Sequence, residues 1–406
     1  MKVICSVCGK ELPVGTMGRC PVCQGILSPV YPDEAVRKLG DIAPGRGIDR
    51  YRVMLPVTVP IPYLGEGDTP LLQSQRIGAS LGVPNLYFKN EGLNPSGAFK
   101  DRAGAMVAAL ALEAGAKGII TASSGNAGSA IAAYSAAAGL KCIILMEPGN
   151  PLTKLRQTVA TGASVLLVEG IFARGPEFLC QTLLTLAERI DYYLSFVWAP
   201  VNPYILEGIK TISYEVAKQL SGGPDVLVGP VGGGDMFSAQ WRGYRELQRA
   251  RVIQRLPRMI GVQSLSAPPL VEAFEASLDV VTTLPYARSR ISGINVSFSG
   301  DHALSAVRES GGIAIGVGDD EVFNMQKRMA LEEGIWVEPA GAAAVAALPR
   351  LLDQGAINAQ ERIVCVLSGA GFKDTHLAED TATEITRQST VPLDLEAIIT
   401  ACQKTR

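Results

Sequence analysis

With 406 residues, 47 % of them hydrophobic, and a formal net charge of −2, the chain can fill two or three domains, and its balance points to neither nucleic acid nor an anionic membrane. Only two histidines occur, His302 and His376, and neither stands in a dense run of polar residues, so histidine-based nucleophilic triads are poor candidates. No apolar run is long enough to span a bilayer, and no secretory hydrophobic region follows Met1, so the expectation is a cytoplasmic protein without a membrane partner.

The first segment, "CSVCGKELPVGTMGRCPVCQG", is compositionally separate from the rest of the chain. Cys5, Cys8, Cys20 and Cys23 form two C-x-x-C pairs, and four thiolates so arranged satisfy a tetrahedral zinc ion. The segment has too few apolar residues to fold on a core alone, so residues 1–28 are expected to be zinc-ribbon-like, with the metal structural. The loop between the pairs is shorter than the common zinc pattern. Two disulfides, disfavoured in a reducing compartment, and a rubredoxin-like iron site are the alternatives. Cys142, Cys180, Cys365 and Cys402 are scattered, and the first three, in apolar surroundings, read as buried inert thiols.

Residues 29–75 read as an N-terminal arm; to about residue 65 it is rich in Pro, Gly and Arg and has little regular structure. After it a rhythm sets in. The runs "GIITAS", "KCIILM", "SVLLVE", "DVLVGPV", "RMIGVQ", "GIAIGV" and "RIVCVLS" alternate with longer Ala- and Leu-rich helical stretches. Near-continuous apolar strands between helices imply parallel sheet covered on both faces, hence an α/β class with more than one sheet.

In such sheets ligands bind outside the carboxyl ends of strands, and the unusual loops fall there. "TASSGNAGSA", "GPVGGGDMFS" and "SGAGFKD" each follow a strand. Gly232, Gly233 and Gly234 precede a helix, a combination that points consecutive amides and a favourable dipole at an anion of phosphate size. Neither the dinucleotide fingerprint nor a P-loop is present, and a plain tight turn with Asp235 as a helix cap is the bland alternative. Asn126 is either an ordinary cap or a neutral partner for a bound ring. Lys100 stands between a Pro-Ser-Gly turn and an Ala-rich helix, where the dipole disfavours an ammonium and lowers its pKa. It is either a surface lysine after a turn or an amine meant to lose its proton. An aldehyde-bearing phosphate such as pyridoxal phosphate would use the amine, the glycine loop and the Asn loop together.

The order of "LGEGDTPLL", "KNEGLNPSGAFKDR", "SSGNAG", "PLTKLRQTVATGA", "LEGIKTISYEV", "GPVGGGDM", "EEGIWVEPAGAAAVAAL" and "LSGAGFKD", from about residue 64 to 374, resembles the fold-type II pyridoxal-phosphate enzymes, and among them the threonine synthase family. The resemblance implies two open parallel-sheet subdomains like those of the tryptophan synthase β chain. It implies a catalytic core over 76–375 with a smaller subdomain at roughly 105–200, and a helical tail over 376–406 packing on the core or on a partner subunit. Lys100 would be the Schiff-base lysine and the general base and acid. Phe99 would pack beside the cofactor, Asn126 would bond the ring hydroxyl, and Gly232, Gly233, Gly234, Asp235 and Met236 would cradle its phosphate. Ser368 would face the pyridine nitrogen, a neutral hydroxyl that leaves the nitrogen largely unprotonated and the electron sink moderate.

The implied reaction takes O-phospho-L-homoserine and water to L-threonine and phosphate. Lys154 and Arg156 are the candidate cations for the substrate's own phosphate, with Ser96, Ser123, Ser124 and Asn150 as further substrate contacts. The lysine motif departs from the family's pattern at Ser96 and Ala98, the Asn loop at Ala127, and the glycine loop by its Gly-Gly-Gly-Asp. These departures keep a second reading open, a β-elimination or β-replacement enzyme such as a threonine or serine dehydratase or an O-phosphoserine-using synthase (cysteate synthase is one). A third, a metabolite sensor with the cysteine segment as docking module, is opposed by the intact Lys100 and glycine loop. Family members commonly form homodimers, and the partner expected here is otherwise a small amino-acid substrate.

Overall fold

β-branched runs hold extended backbone, and each finds its neighbour through the sheet order. A computed structural model describes the chain except residues 43, 124, 149–151, 173, 376–391 and 405–406, with the side chains of 152–154 and 404 also undescribed. It divides into Met1–Lys373 and Asp374–Arg406. In the second unit the described residues include a helix, Leu395–Lys404.

The N-terminal lobe is a small antiparallel sheet of β1 (Lys2–Cys5), β2 (Glu11–Leu12) and β3 (Leu27–Val30), in the order β2-β1-β3. The expected arm then contains a short helix, Asp33–Arg37, and 3-10 turns through Gly47–Met54. At its end β4 (Leu71–Gln73) pairs antiparallel with β5 (Leu86–Asn90).

All seven expected strands form. β6 (Gly118–Ala122), β7 (Lys141–Met146), β8 (Ser164–Leu167) and the two-residue β9 (Tyr193–Leu194) make a parallel sheet ordered β8-β7-β6-β9. β10 (Val226–Pro230), β11 (Arg258–Ser264), β12 (Ile313–Val317) and β13 (Ile363–Leu367) join β5 and β4 in the order β12-β11-β10-β13-β5-β4, parallel except at β4.

β5 has no counterpart among the expected strands, because its sequence LYFKN carries polar Lys89 and Asn90 where the other inner strands are apolar. Lys89 is wholly buried, yet its Nζ lies 2.7 Å from Glu215 Oε2, 2.6 Å from the Thr69 carbonyl and 3.1 Å from Gln219 Oε1. Burial lowers its pKa, and the Glu215 and Glu91 carboxylates oppose that effect. A lysine inside a strand thus reads as polar in sequence and as core in the fold.

The helix Lys100–Glu113 starts just beyond β5. Its Ala and Gly residues bring it against the helix Asn126–Ala137, where a side chain at Gly104 would stand 2.8 Å from the Tyr134 ring. Its first turn is anchored from below. Arg102 Nε and Nη2 donate to the two oxygens of Glu91, each at 2.8 Å, and Nη1 and Nη2 donate to Glu215 at 2.6 and 2.7 Å. Nη1 also reaches Thr211 Oγ1 at 2.9 Å. The Arg102, Glu91 and Glu215 side chains are almost entirely buried.

Candidate active site

Four loops at strand carboxyl ends enclose a cavity of about 590 Å³ lined by Phe99, Lys100, Ser123, Asn126, Gly232–Phe237 and Ser368 among others. Lys100 reaches it because its loop is zipped to the loop after β13. Phe99 N donates to the Ser368 carbonyl at 3.0 Å, Ala370 N donates to the Gly97 carbonyl at 2.8 Å, and Ala98 bridges Gly369. The Lys100 amine lies 4.6 Å from the Phe99 ring centroid. Its pKa is lowered first of all by burial, which the charges of Asp235 and Glu338 only partly oppose. Desolvation is therefore the leading cause where the sequence pointed to the helix dipole.

The helix after the glycine loop, Asp235–Arg249, has no side-chain cap. Gly234 adopts φ +96°, a left-handed backbone in which a methyl would also stand 2.7 Å from Ala303 Cβ, so glycine is required twice over. Asp235 does not cap its own helix: its Oδ1 accepts from Ala199 N at 2.7 Å, and His302 Nε2 approaches it at 3.3 Å. His302 thus has a carboxylate neighbour that sequence spacing does not reveal, although neither ring nitrogen makes a hydrogen bond; His376 lies outside the described residues. Ser123, not Asn126, serves the helix Asn126–Ala137, its Oγ accepting from Gly125 N at 3.3 Å and Gly128 N at 3.0 Å. Asn126 is left to face the cavity, with Nδ2 donating to Glu338 Oε2 at 2.8 Å and a buried Oδ1 that has no partner.

Residues 63–369 match the family model described as pyridoxal-phosphate dependent enzyme. The chain belongs to that family. Its relatives include the threonine synthase of Methanocaldococcus jannaschii, 36 % identical over 92 % of this chain and 93 % of that protein, and that of Methanosarcina acetivorans, 35 % identical over 94 % of each. A solved threonine deaminase from T.th. superposes with a TM-score of 0.62 at 27 % identity, covering 74 % of this chain and 92 % of that one. Maize serine racemase, at 23 % identity and a TM-score of 0.68 over 88 % of this chain and 98 % of its own, shares the fold. The chain is thus a fold-type II pyridoxal-phosphate-dependent lyase, threonine synthase-like in sequence.

The residues present fit the family's cofactor. An uncapped helix start behind three glycines suits a phosphate, the unpartnered Asn126 Oδ1 awaits a polar group, and a desolvated amine suits an aldehyde. Phe99, Lys100, Asn126, Gly232, Gly233, Gly234, Asp235, Met236 and Ser368 all line this cavity.

The expected substrate contacts are less concentrated. Ser123 lines the cavity, whereas Ser96 does not: its N and Oγ donate to Asp101 Oδ2 at 3.0 and 2.8 Å, behind the Lys100 loop. Arg156 is exposed on the helix Leu152–Ala160 and is not on the wall. Ser124, Asn150 and the Lys154 side chain lie outside what is described. Among the described residues Lys100 is the one cation lining the cavity.

Sequence reasoning missed Glu338, the aromatic wall of Phe172, Phe196, Trp198 and Phe298, and the segment Ser292–Phe298. Only Glu338 left a signal, a carboxylate immediately before the proline that opens a helix.

The four N-terminal cysteines converge, all four Sγ atoms lying within 4.8 Å of one another, and none is in a disulfide. The loop that carries them reaches the active-site wall. Gly18 N donates to the Val201 carbonyl at 2.8 Å, and the Arg19 guanidinium lies 5.9 Å from the Trp198 ring centroid.

Proposed function

We propose that the protein converts O-phospho-L-homoserine and water to L-threonine and phosphate. The observation that carries this reading is the cavity in which the desolvated Lys100 amine faces an uncapped glycine loop; the relatives named threonine synthase support the choice of substrate. Bound pyridoxal phosphate supplies an aldehyde for an amino group and a ring that withdraws electrons from the carbon beside it.

The residues do the rest. Gly232, Gly233, Gly234, Asp235 and Met236 hold the cofactor's phosphate by backbone amides, Phe99 and Asn126 orient its ring, and Ser368 faces the ring nitrogen. Lys100, its pKa lowered by burial, takes a proton from the substrate carbon and returns it. Ser123, Ser124 and Asn150 bond the substrate, and Lys154 neutralises its phosphate, a charge that Lys100 does not balance alone. Ser96 supports the Lys100 loop through Asp101. The aromatic wall limits the water that reaches the site.

A product assay on cofactor-loaded protein tests the substrate. Phosphate and threonine in equal amounts from O-phosphohomoserine are expected. Inert phosphohomoserine with turnover of threonine, serine or O-phosphoserine would instead assign the chain to β-elimination or replacement.

The same reading makes residues 1–28 a zinc-ribbon-like lobe and 29–75 an arm, followed by a catalytic core over 76–375 with a smaller subdomain near 105–200. It makes residues 376–406 a helical tail, and the protein a cytoplasmic homodimer. No helix of the described residues is long and apolar enough to cross a membrane. Cys5, Cys8, Cys20 and Cys23 would hold a structural zinc ion, since four converging thiolates complete its tetrahedron. Elemental analysis is expected to find about one zinc per chain, the number a single four-thiolate site binds. Cys20→Ser should release the metal and lower the melting temperature. Iron in place of zinc, or no metal with an unchanged melting temperature in the variant, would overturn this.

A further inference from the structure

The four-cysteine loop and the glycine loop lean on one piece of chain. Residues 198–204 form a braced turn: Val201 N and Asn202 N both donate to the Trp198 carbonyl, at 2.9 and 3.1 Å, and Asn202 Oδ1 accepts from Tyr204 N at 3.2 Å. One side of this turn meets the cavity. Trp198 lines it, and its Cδ1 atom would stand 3.5 Å from a side chain added at Gly233. Ala199 gives its N–H to Asp235 Oδ1 at 2.7 Å, at the first residue of the helix behind the glycines. The other side meets the cysteine loop. Gly18 N donates to the Val201 carbonyl at 2.8 Å, and Gly15 N donates to the Tyr204 hydroxyl at 2.7 Å. Tyr204 also packs with Val3, Cys5, Cys20 and Leu27, so two of the four cysteines share a small core with the turn.

These contacts do not order the cysteine loop unaided. Gly15 and Gly18 both take left-handed backbone, φ +95° and +81°, and a side chain added at either would meet nothing within 4 Å. Such a stretch has much backbone freedom to lose and little packing to offset the loss, and thiolate bonds to a metal supply the missing constraint. With the loop fixed, Gly15 and Gly18 hold the turn, and the turn holds Trp198 and Asp235 at the glycine loop. The same order spreads from the other end. When a phosphate occupies the glycine loop, Asp235 and Ala199 are settled, and the cysteine loop closes on a turn that is already fixed. We propose that the cysteine loop positions the active-site wall, so that a metal ion at Cys5, Cys8, Cys20 and Cys23 and the cofactor's phosphate at the glycine loop each strengthen the binding of the other. Gly15, Gly18 and Tyr204 are positioning residues that act through the turn. The lobe then serves the active site as well as its own fold. The inference rests on the metal reading of the cysteines and on the cofactor reading of the cavity.

The test is the zinc affinity of the wild-type protein, read by equilibrium competition with a chromophoric chelator, with and without saturating pyridoxal phosphate. The affinity is expected to rise at least about fivefold with cofactor, the lower end of ordinary coupling between two sites. Cofactor titrations of metal-loaded and metal-stripped protein should return the same factor, since linkage is reciprocal. Tyr204→Phe keeps the ring in its core and takes away the partner of Gly15 N. With metal bound, this variant should hold pyridoxal phosphate more weakly than the wild type. A lobe that serves only its own fold would lose stability with its metal and leave the two affinities independent. Zinc affinity that is the same with and without cofactor would overturn the proposal, as would unchanged cofactor affinity in metal-loaded Tyr204→Phe. If the metal-stripped protein unfolds, folding alone would link the two sites, and the metal-loaded Tyr204→Phe measurement decides. A wild-type protein that takes up no cofactor would overturn the cofactor reading, one that takes up cofactor and no metal would overturn the metal reading, and the inference falls with either.

Discussion

Replacing Lys100 by alanine is expected to abolish turnover while leaving a folded chain that retains the cofactor weakly. The amine opens the helix Lys100–Glu113, and alanine is a good helix former there. Its removal leaves hydrogen bonds to both nearby carboxylates in place, Asp235 keeping Ala199 N, and Glu338 keeping Asn126 and Ser368. What is lost is the only group on the described wall that can both join an aldehyde and shuttle a proton. A fall of at least about a thousandfold in kcat/KM is expected, equivalent to ~4 kcal/mol of transition-state stabilisation. The visible absorbance of lysine-bound cofactor should vanish, while the glycine loop still holds the phosphate. Turnover near the wild-type rate would sink the mechanism outright.

The second large effect is on stability. Arg102→Met should destabilise the fold by about 3–5 kcal/mol, because it strands two buried carboxylates that have no access to water. Glu91 would lose both its Arg102 bonds and keep only the neutral donors Thr69 Oγ1 and Asn94 Nδ2, and Glu215 would keep Lys89 and Asp68 N. Burial raises the Glu215 pKa, yet Arg102 and then Lys89 outweigh it and bring it to about 2. Without Arg102 that depression shrinks, so part of the damage should be relieved by adding Glu91→Gln or Glu215→Gln to the same chain. Because Arg102 lies two residues from Lys100 in the first turn of the same helix, the variant should also lose cofactor affinity. Denaturant melts of the single and double variants provide the measurement. An unchanged midpoint in Arg102→Met would show that the cluster contributes nothing.

Much of the site was legible because its chemistry is local. A lysine after a Pro-Ser-Gly turn, three glycines before a helix and an asparagine after a β-branched run are each unusual within a few residues. Strand ends in a parallel sheet bring such loops together whatever the details of packing. The seven apolar strands were legible for the same reason. β5 was not, since Lys89 breaks its apolar run, and only Glu215, 126 residues further on, makes that lysine a core residue. Ser96 looked like a substrate contact in its motif, but its hydroxyl turns to Asp101 because the Lys100 loop folds back on the loop after β13.

By itself the sequence determined the α/β class, the placing of Lys100 and of the glycine loop beyond strand ends, and the convergence of the two C-x-x-C pairs, because each follows from residue type at short range. Only the tertiary structure decided what surrounds them. Glu338 meets Asn126 across 212 residues of chain, and Trp198 and Ser292–Phe298 come to the same wall from separate connections. Which distant side chain completes such a pair depends on sheet order and loop closure, and neither is written in the neighbouring residues.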